Sequence, residues 1–214
     1  MNKKISELRR NYIKGGLKEE ELPQNPVILF RQWFTEALET EVTEPNAMAL
    51  ATVTSAGRPA VRTVLLKGIE DNGIQFFSNY NSDKADDLEN LPYAACCFWW
   101  AELERQVRIS GPVEKLSERV NTEYFETRPR ESQIGAWASD QSSVISGRDE
   151  LIRTFEEFEK KFAGKQIPKP DHWGGYEIGF EMIEFWQGRP GRLHDRILYT
   201  TQDGKKWHLK RLAP

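Results

Sequence analysis

Phe185-Trp186-Gln187-Gly188-Arg189-Pro190-Gly191-Arg192-Leu193-His194-Asp195-Arg196 reads as strand, turn, strand. Residues 177–187 alternate in polarity, 188–191 interrupt the alternation with two glycines and a proline, and 192–199 resume it. Successive side chains of a strand point to opposite faces, so Arg192, His194 and Arg196 are expected on one face, with Leu193 and Ile197 on the other beside Asp195. Two guanidiniums and an imidazole in one row repel each other unless solvent or an anion compensates them. Arginine pairs bidentately with phosphate and carboxylate, so the row points to an anionic ligand. A solvated strand face with scattered charges accounts for the same residues.

Working outward, the hairpin is one of several. Residues 47–54, 59–68 and 74–79 read as strands joined by short Gly- and Asn-containing turns, an antiparallel meander. Strands are also expected at 93–100, apolar enough to be buried on both faces, and at 104–116, with a bulge at Gly111-Pro112. The last is expected at 206–212. Helices are expected over 26–41, capped by Asn25 with Pro26 at its first position, over 83–90 after Ser82, over 118–127 after Ser117, and over 148–162. Pro129 opens a further helical turn. In the first helix Val27, Phe30, Phe34 and Leu38 form the apolar stripe, with Trp33 and Ala37 alongside; in the last it is Leu151, Phe155, Phe158 and Phe162. Hairpin-linked strands with interspersed helices predict a mainly β, α+β chain: an antiparallel barrel with helices packed outside.

Composition narrows the function classes. A chain of 214 residues without an internal linker suits one core, expected over 25–214, preceded by a charged, mobile segment 1–24. A net charge of −3 provides no global positive field for nucleic acid. No apolar run approaches membrane-spanning length, and the N-terminus has no apolar signal core. Cys96 and Cys97 are adjacent, so on a strand they face apart and stay reduced, in keeping with a cytoplasmic protein. Three scattered His offer no metal site. Seven Trp and eleven Phe suit a well-packed core or a planar ligand. There is no glycine-rich phosphate loop, no G-x-S-x-G and no H-E-x-x-H, so a phosphate must be held by side chains.

Candidate side chains fall into clusters. Arg62 and Lys67, five residues apart, point to opposite faces of a regular strand. Ser78 and Lys84 sit at a strand end and a helix start, where phosphate is readily accommodated. Gln106 lies on a polar face with Glu104 and Arg108, and Gln141 and Ser142 are neutral donors. Tyr124, Arg128 and Ser132 converge where helix passes into loop, a second anion site, and Arg9, Arg10, Tyr12 and Lys14 form a basic and aromatic group that can close over an anion. Together they suggest two anionic groups, a cofactor and a substrate.

The order of motifs resembles the pyridoxine/pyridoxamine 5'-phosphate oxidase family. It is carried by R-R-x-Y-x-K-G-G-L at 9–17, R-T-V-L-L-K at 62–67 and E-R-Q-V-R at 104–108. Y-F-x-x-R-P-R-x-S-Q-I-G-A-W at 124–137, Q-S-S at 141–143 and W-G-G at 173–175 continue the series. E-F-W-Q-G at 184–188, R-L-H-D-R at 192–196 and R-L-A-P at 211–214 complete it. The resemblance implies an FMN-binding split barrel, a homodimer with sites at the subunit interface, and oxidation of pyridoxamine or pyridoxine 5'-phosphate to pyridoxal 5'-phosphate. Dioxygen takes the electrons and leaves as hydrogen peroxide.

By position, the resemblance places Arg62, Thr63, Val64, Leu65, Leu66 and Lys67 on FMN. Phe77, Ser78, Lys84, Gln106, Gln141, Ser142, Trp186 and Arg196 join them. It assigns the substrate phosphate to Lys67, Tyr124, Arg128 and Ser132, the reacting ring to Arg192 and His194 as catalytic residues, and a lid to 9–12 through Arg9 and Tyr12. Asp83 stands where the family has an arginine, which puts one phosphate contact in question, and Glu44 replaces an aspartate. A non-catalytic FMN- or pyridoxal-phosphate-binding protein and a split-barrel flavin reductase or oxygenase are the competing readings.

Overall fold

A computed structural model describes residues 11–214; the expected N-terminal contact at Arg9 lies outside them. The described residues contain five α-helices and ten β-strands. In chain order these are α1 (Pro26–Glu39), β1 (Ala47–Val53), β2 (Pro59–Leu65), β3 (Gly68–Ile69), β4 (Gly73–Asn79) and α2 (Asp83–Asn90). β5 (Tyr93–Trp100), β6 (Arg105–Lys115), α3 (Glu118–Thr127), α4 (Arg130–Ala138) and α5 (Arg148–Lys161) follow. The chain closes with β7 (Trp173–Gly179), β8 (Met182–Gln187), β9 (Asp195–Thr200) and β10 (His208–Leu212). It divides into two compact units. The first holds the described part of Met1–Leu50 with Ala95–Gly111 and Phe180–Pro214, and the second holds Ala51–Ala94 and Pro112–Gly179.

In the first unit the strand order is β10-β9-β8-β6-β5-β1. The antiparallel register sets Val107 opposite Phe185 and Phe185 opposite Ile197, three fully buried residues in one row. α1 covers this face: Trp33 meets Phe185 edge-on at 5.2 Å, and Phe30 lies 5.4 Å from Phe98. Asn25 starts the helix, its side-chain oxygen accepting from Val27 N at 2.9 Å. The buried stripe is Val27, Leu29, Phe30, Trp33 and Ala37, whereas Leu38 is exposed. The expected face is therefore the buried one except at its C-terminal end, where Leu38 lies beyond the part of α1 that the sheet covers.

In the second unit β4 pairs with β7 from Gly73–Gly179 to Asn79–Trp173, and β7 continues onto β6 through Val113–Ile178. α3, α4 and α5 pack around Phe125, Ile134, Phe162 and Trp173. The two glycines after Trp173 are needed for close approach. A Cβ on Gly174 would stand 2.1 Å from the Tyr80 hydroxyl, and one on Gly175 would stand 2.5 Å from Leu116. Gly175 N instead donates to Asn121 Oδ1 at 2.8 Å, tying β7 to the start of α3.

Several expectations are corrected. The strand expected over 177–187 is broken at 180–181, where Glu181 N donates to Ser110 O and Glu181 O accepts from Thr201 N. β5 alternates instead of burying both faces: Ala94, Cys96, Phe98 and Trp100 are buried, while Tyr93 and Trp99 are exposed. β2 stops at Leu65, so Lys67 lies beyond the strand. In α5, Leu151 is exposed, whereas Phe155 and Phe158 pack, partly buried, against the cluster that contains Phe162. Most consequentially, Arg192, His194 and Arg196 share no strand face. Residues Pro190–Arg192 form a 3-10 turn with both Gly191 and Arg192 at positive φ, and β9 begins only at Asp195.

Replacing Asn25 by Ala removes the α1 cap, which costs about 1 kcal/mol. For a chain of this size the expected fall in Tm is about 2–4 °C, read by thermal unfolding. An unchanged Tm would show that packing of Phe30 and Trp33 alone sets the start of α1.

Candidate active site

The second unit contains a cavity of about 620 Å³, within the range that holds a cofactor-sized ligand. Its walls come from three places. Thr63, Val64, Leu65 and Lys67 line it from β2 and the residues after it, Phe77, Ser78 and Lys84 from β4 and the start of α2, and Tyr124, Arg128 and Ser132 from the α3–α4 elbow. Gln141 also lines it. Eleven residues expected in the site are thus brought to one concavity from positions up to 78 apart (141 − 63).

The elbow is dictated locally. A residue before proline is pushed out of the α region, and Arg128, before Pro129, has φ −71° and ψ 146°. That ends α3 at Thr127. Gln133 Nε2 then donates to the carbonyls of Phe125, at 3.0 Å, and Arg128, at 3.2 Å, which braces the end of α3 against α4. The Arg128 guanidinium lies 4.6 Å from the centre of the Trp173 ring and 5.6 Å from that of Phe125. Its Nη1 is buried without a hydrogen-bond partner among the described residues. Burial lowers its pKa, opposed by the nearby Tyr124. A buried guanidinium N–H without an acceptor is costly, and an anion in the cavity would satisfy it. Beside it Tyr124 stacks on Phe77 at 3.9 Å, and Phe77 on Trp173 at 5.3 Å, which makes a flat aromatic wall.

Lys84, buried at 8% exposure, is a second cation of the cavity. Its Nζ donates to Ser82 Oγ at 2.8 Å and Gln141 Oε1 at 2.9 Å, and Ser78 Oγ reaches the same Gln141 oxygen at 3.3 Å. Burial, reinforced by the charge of Arg62, pulls the Lys84 pKa down to about 8, and Asp83 opposes the fall. No carboxylate bonds this ammonium directly among the described contacts. Asp83 instead donates its backbone N–H to Ser142 Oγ at 3.2 Å, closing the segment around Gln141 onto the start of α2. Arg62 is differently placed. Its guanidinium pairs with the buried Asp87 at 3.3 Å and donates to Thr52 Oγ1, so its charge is neutralised within the fold. Leu66 is buried and Arg62 does not line the cavity.

The remaining expected residues lie in the first unit. The sheet register aligns Gln106, Trp186 and Arg196 across β6, β8 and β9. Arg196 Nε donates to the buried Glu184 at 2.8 Å and its Nη1 to Ala213 O at 3.0 Å; the hydrogen bond to Glu184 raises its pKa. Trp186 lies 4.6 Å from His194, and Tyr12 meets Trp186 and His194 edge-on, each at 5.6 Å. His194 Nδ1 accepts from Arg189 N at 3.1 Å, which leaves the proton of a neutral ring on Nε2. Arg192 is exposed. Glu44 has positive φ and its carbonyl accepts from Ala47 N, so it shapes the turn into β1.

Three carboxylates have structural roles that the sequence reading did not assign. Asp87 and Glu184 neutralise arginines from another element, and the buried Glu104 accepts from the backbone of the N-terminal segment. Alternation with Trp186 on β8 is a signal for Glu184. Glu104 opens the motif at 104–108, but neither it nor Asp87 carries a signal for its partner, 91 and 25 residues away.

The sequence model described as pyridoxamine 5'-phosphate oxidase matches residues 34–162, and that of the pyridoxine 5'-phosphate oxidase C-terminal dimerisation region matches 173–214. A pyridoxine/pyridoxamine 5'-phosphate oxidase of Nostoc punctiforme is 51% identical over 214 residues, all of both chains. One of Acaryochloris marina is 52% identical over 210 residues, 98% of this chain and 95% of its own. Among solved structures, PhzG of Burkholderia lata in complex with tetrahydrophenazine-1-carboxylic acid is 30% identical with a TM-score of 0.89, over 96% of this chain and 100% of that one. A pyridoxamine 5'-phosphate oxidase-related, FMN binding protein of Nostoc punctiforme shares the fold at 18% identity and a TM-score of 0.69, over 86% and 97% of the two chains. The antiparallel split barrel with peripheral helices expected from the motifs is the fold of this chain.

Arg128→Met keeps the stem against Trp173 and removes the unpartnered charge, so the ligand-free variant is expected to unfold at the wild-type temperature or above it. Inorganic phosphate at about 100 times its Kd should stabilise the wild type by about 2.7 kcal/mol and the variant much less. An equal response of both to phosphate would place the anion elsewhere.

Proposed function

This chain belongs to the pyridoxine/pyridoxamine 5'-phosphate oxidase family, and from that membership we propose that it converts pyridoxamine and pyridoxine 5'-phosphates to pyridoxal 5'-phosphate with FMN as cofactor. The amine, dioxygen and water give the aldehyde, ammonia and hydrogen peroxide; the alcohol and dioxygen give the aldehyde and hydrogen peroxide. The observation that carries the reading is the buried, unpartnered Nη1 of Arg128 in a cavity that also presents Tyr124, Ser132 and the two lysines Lys67 and Lys84.

The residues present fit a flavin phosphate and a substrate phosphate. Lys84, Ser78, Gln141 and Ser142 would hold the FMN phosphate near the start of α2, with Thr63 to Lys67 along its edge. FMN, when bound, supplies the two-electron acceptor. Arg128, Tyr124, Ser132 and Lys67 would clamp the substrate phosphate. The Trp173 and Phe125 rings under the Arg128 guanidinium would fix it before substrate arrives and limit the entropy lost on binding. Arg62 and Arg196, neutralised by Asp87 and Glu184, would serve through hydrogen bonds from groups held in place by their carboxylates. Asp83 sits in the first turn of α2 beside Lys84, where its charge favours the helix dipole but opposes a bound phosphate.

The protein would act in the cytoplasm as a homodimer with its sites at the subunit interface. The family's dimerisation region contains Trp186, Arg192, His194 and Arg196, which supports counting them among the site residues. His194 and Arg192 would stand beside the reacting carbon, and Arg9 and Tyr12 would close over the substrate. Bound substrate would be shielded from water by this segment.

The direct test supplies FMN-loaded protein with pyridoxamine 5'-phosphate and oxygen while pyridoxal phosphate and peroxide are followed together. Equal formation of both is expected; a yellow protein that makes neither would be an FMN-binding protein without this activity. A second expectation concerns pH. Below about pH 8 Lys84 is charged and attracts phosphate; a bound phosphate raises its pKa, so binding takes up a proton above that pH. FMN affinity should therefore fall as pH rises beyond about 8, by at most about tenfold per pH unit. Fluorescence titration of FMN should show this slope in the wild type and a flat, weaker affinity in Lys84→Met.

A further inference from the structure

Glu104 is buried at 2% exposure and lies in the left-handed region at φ 56°, a conformation that a non-glycine residue holds only when its surroundings require it. Its backbone carbonyl accepts from Gly188 N at 2.8 Å and from Gln187 Nε2 at 3.2 Å. Its carboxylate does something else. Oε2 accepts from two consecutive backbone N–H groups, Ile13 at 2.9 Å and Lys14 at 3.0 Å, while Lys14 Nζ donates to Glu102 O at 2.7 Å. A buried carboxylate bonded to two main-chain donors is a strong, charge-assisted clamp.

The clamp lies one residue from Tyr12. The Tyr12 ring rests on the backbone of Gly188, where an added Cβ would come within 2.7 Å of its Cγ. Gly188 is the residue whose N–H bonds the Glu104 carbonyl, so one residue fixes both the floor under Tyr12 and the chain that carries it. Downstream, the segment is held again, by Leu17 N on Asp195 Oδ2 at 3.1 Å and by Arg211 on Leu17 O at 2.7 Å.

We propose that Glu104 is a positioning residue: its buried carboxylate grips the Ile13 and Lys14 backbone and so seats Tyr12 over Trp186 and His194. The proposal rests on the reading above for its catalytic consequence, because Tyr12 there closes over substrate. The seating itself is independent of that reading. Glu104 touches neither reactant in this scheme; it acts through Tyr12.

The test uses the full-length, FMN-loaded protein. Glu104→Gly keeps the positive φ without strain and deletes the clamp. Glu104→Gln keeps an acceptor without the charge, and Gly188→Ala pushes Tyr12 off its floor with Glu104 intact. Trypsin cleavage after Lys14, followed by mass spectrometry, should accelerate roughly tenfold to a hundredfold in Glu104→Gly, the range for loss of a charged hydrogen bond, and by less in Glu104→Gln. KM for pyridoxamine 5'-phosphate should rise by about tenfold in Glu104→Gly and Gly188→Ala with kcat within about twofold, the pattern of lost binding energy. In a Tyr12→Ala background Glu104→Gly should add nothing further to KM, whereas a merely structural residue would add its full effect. Unchanged cleavage after Lys14 in both Glu104→Gly and Gly188→Ala would overturn the proposal, as would full additivity with Tyr12→Ala. Faster cleavage with unchanged KM would uphold the clamp and remove Tyr12 from the substrate site, a failure of the functional reading and not of the seating.

Discussion

The register that sets Phe185 between Val107 and Ile197 governs the first unit. With a side-chain period of two, burying that row beneath Trp33 places Gln106, Trp186 and Arg196 on the opposite face. A slip of one residue would send Trp186 under α1 and Phe185 into the exposed row. The hydrophobic cost of that exchange holds the polar row in place. Glu184, two residues before Trp186, then falls on the polar row and meets Arg196. Core packing and placement of the polar side chains are therefore one event.

Charge pairing decides which cations are available to a ligand. Arg62 is matched by Asp87, Arg196 by Glu184 and Arg105 by Glu36, the last also lying 4.4 Å over the Trp33 ring. These pairs join separate elements and behave as struts. Arg128 and Lys84 have no such carboxylate partner in their hydrogen bonds, and both are held down in pKa by burial. A half-buried cation matched only by neutral or aromatic neighbours is under-stabilised until an anion arrives, so the same feature that weakens the empty fold strengthens binding. The difference between the strut arginines and Arg128 is not one of residue type but of what a distant part of the chain brings beside each.

Breaks in regular structure do as much as the strands. Pro129 ends α3 and turns Arg128 into the cavity; the glycines after Trp173 admit Tyr80 and Asn121 against β7; Gly188 admits the Tyr12 ring. Each is a place where a side chain or a helical N–H is absent so that another group can approach. The positive φ of Glu104 and Arg192 marks two further points where tertiary contacts outweigh the local preference of the residue.

Element identity was largely legible in the sequence because it depends on neighbours: alternation named the strands, Asn25-Pro26 and Ser117 marked helix starts, and Pro129 marked a helix end. The resemblance assigned Lys84 and Gln141 to the cofactor, Tyr124, Arg128 and Ser132 to the substrate phosphate and Lys67 to both, and all six line the one cavity. The sequence could not say that Arg192 leaves the strand, since two consecutive positive φ values arise from how the turn after Pro190 meets the sheet. Nor could it separate the neutralised arginines from the unpartnered one. Asp87, Glu184 and Glu104 find their partners 25, 12 and 91 residues away, and a pairing across such distances exists only once the core has fixed which strands are neighbours.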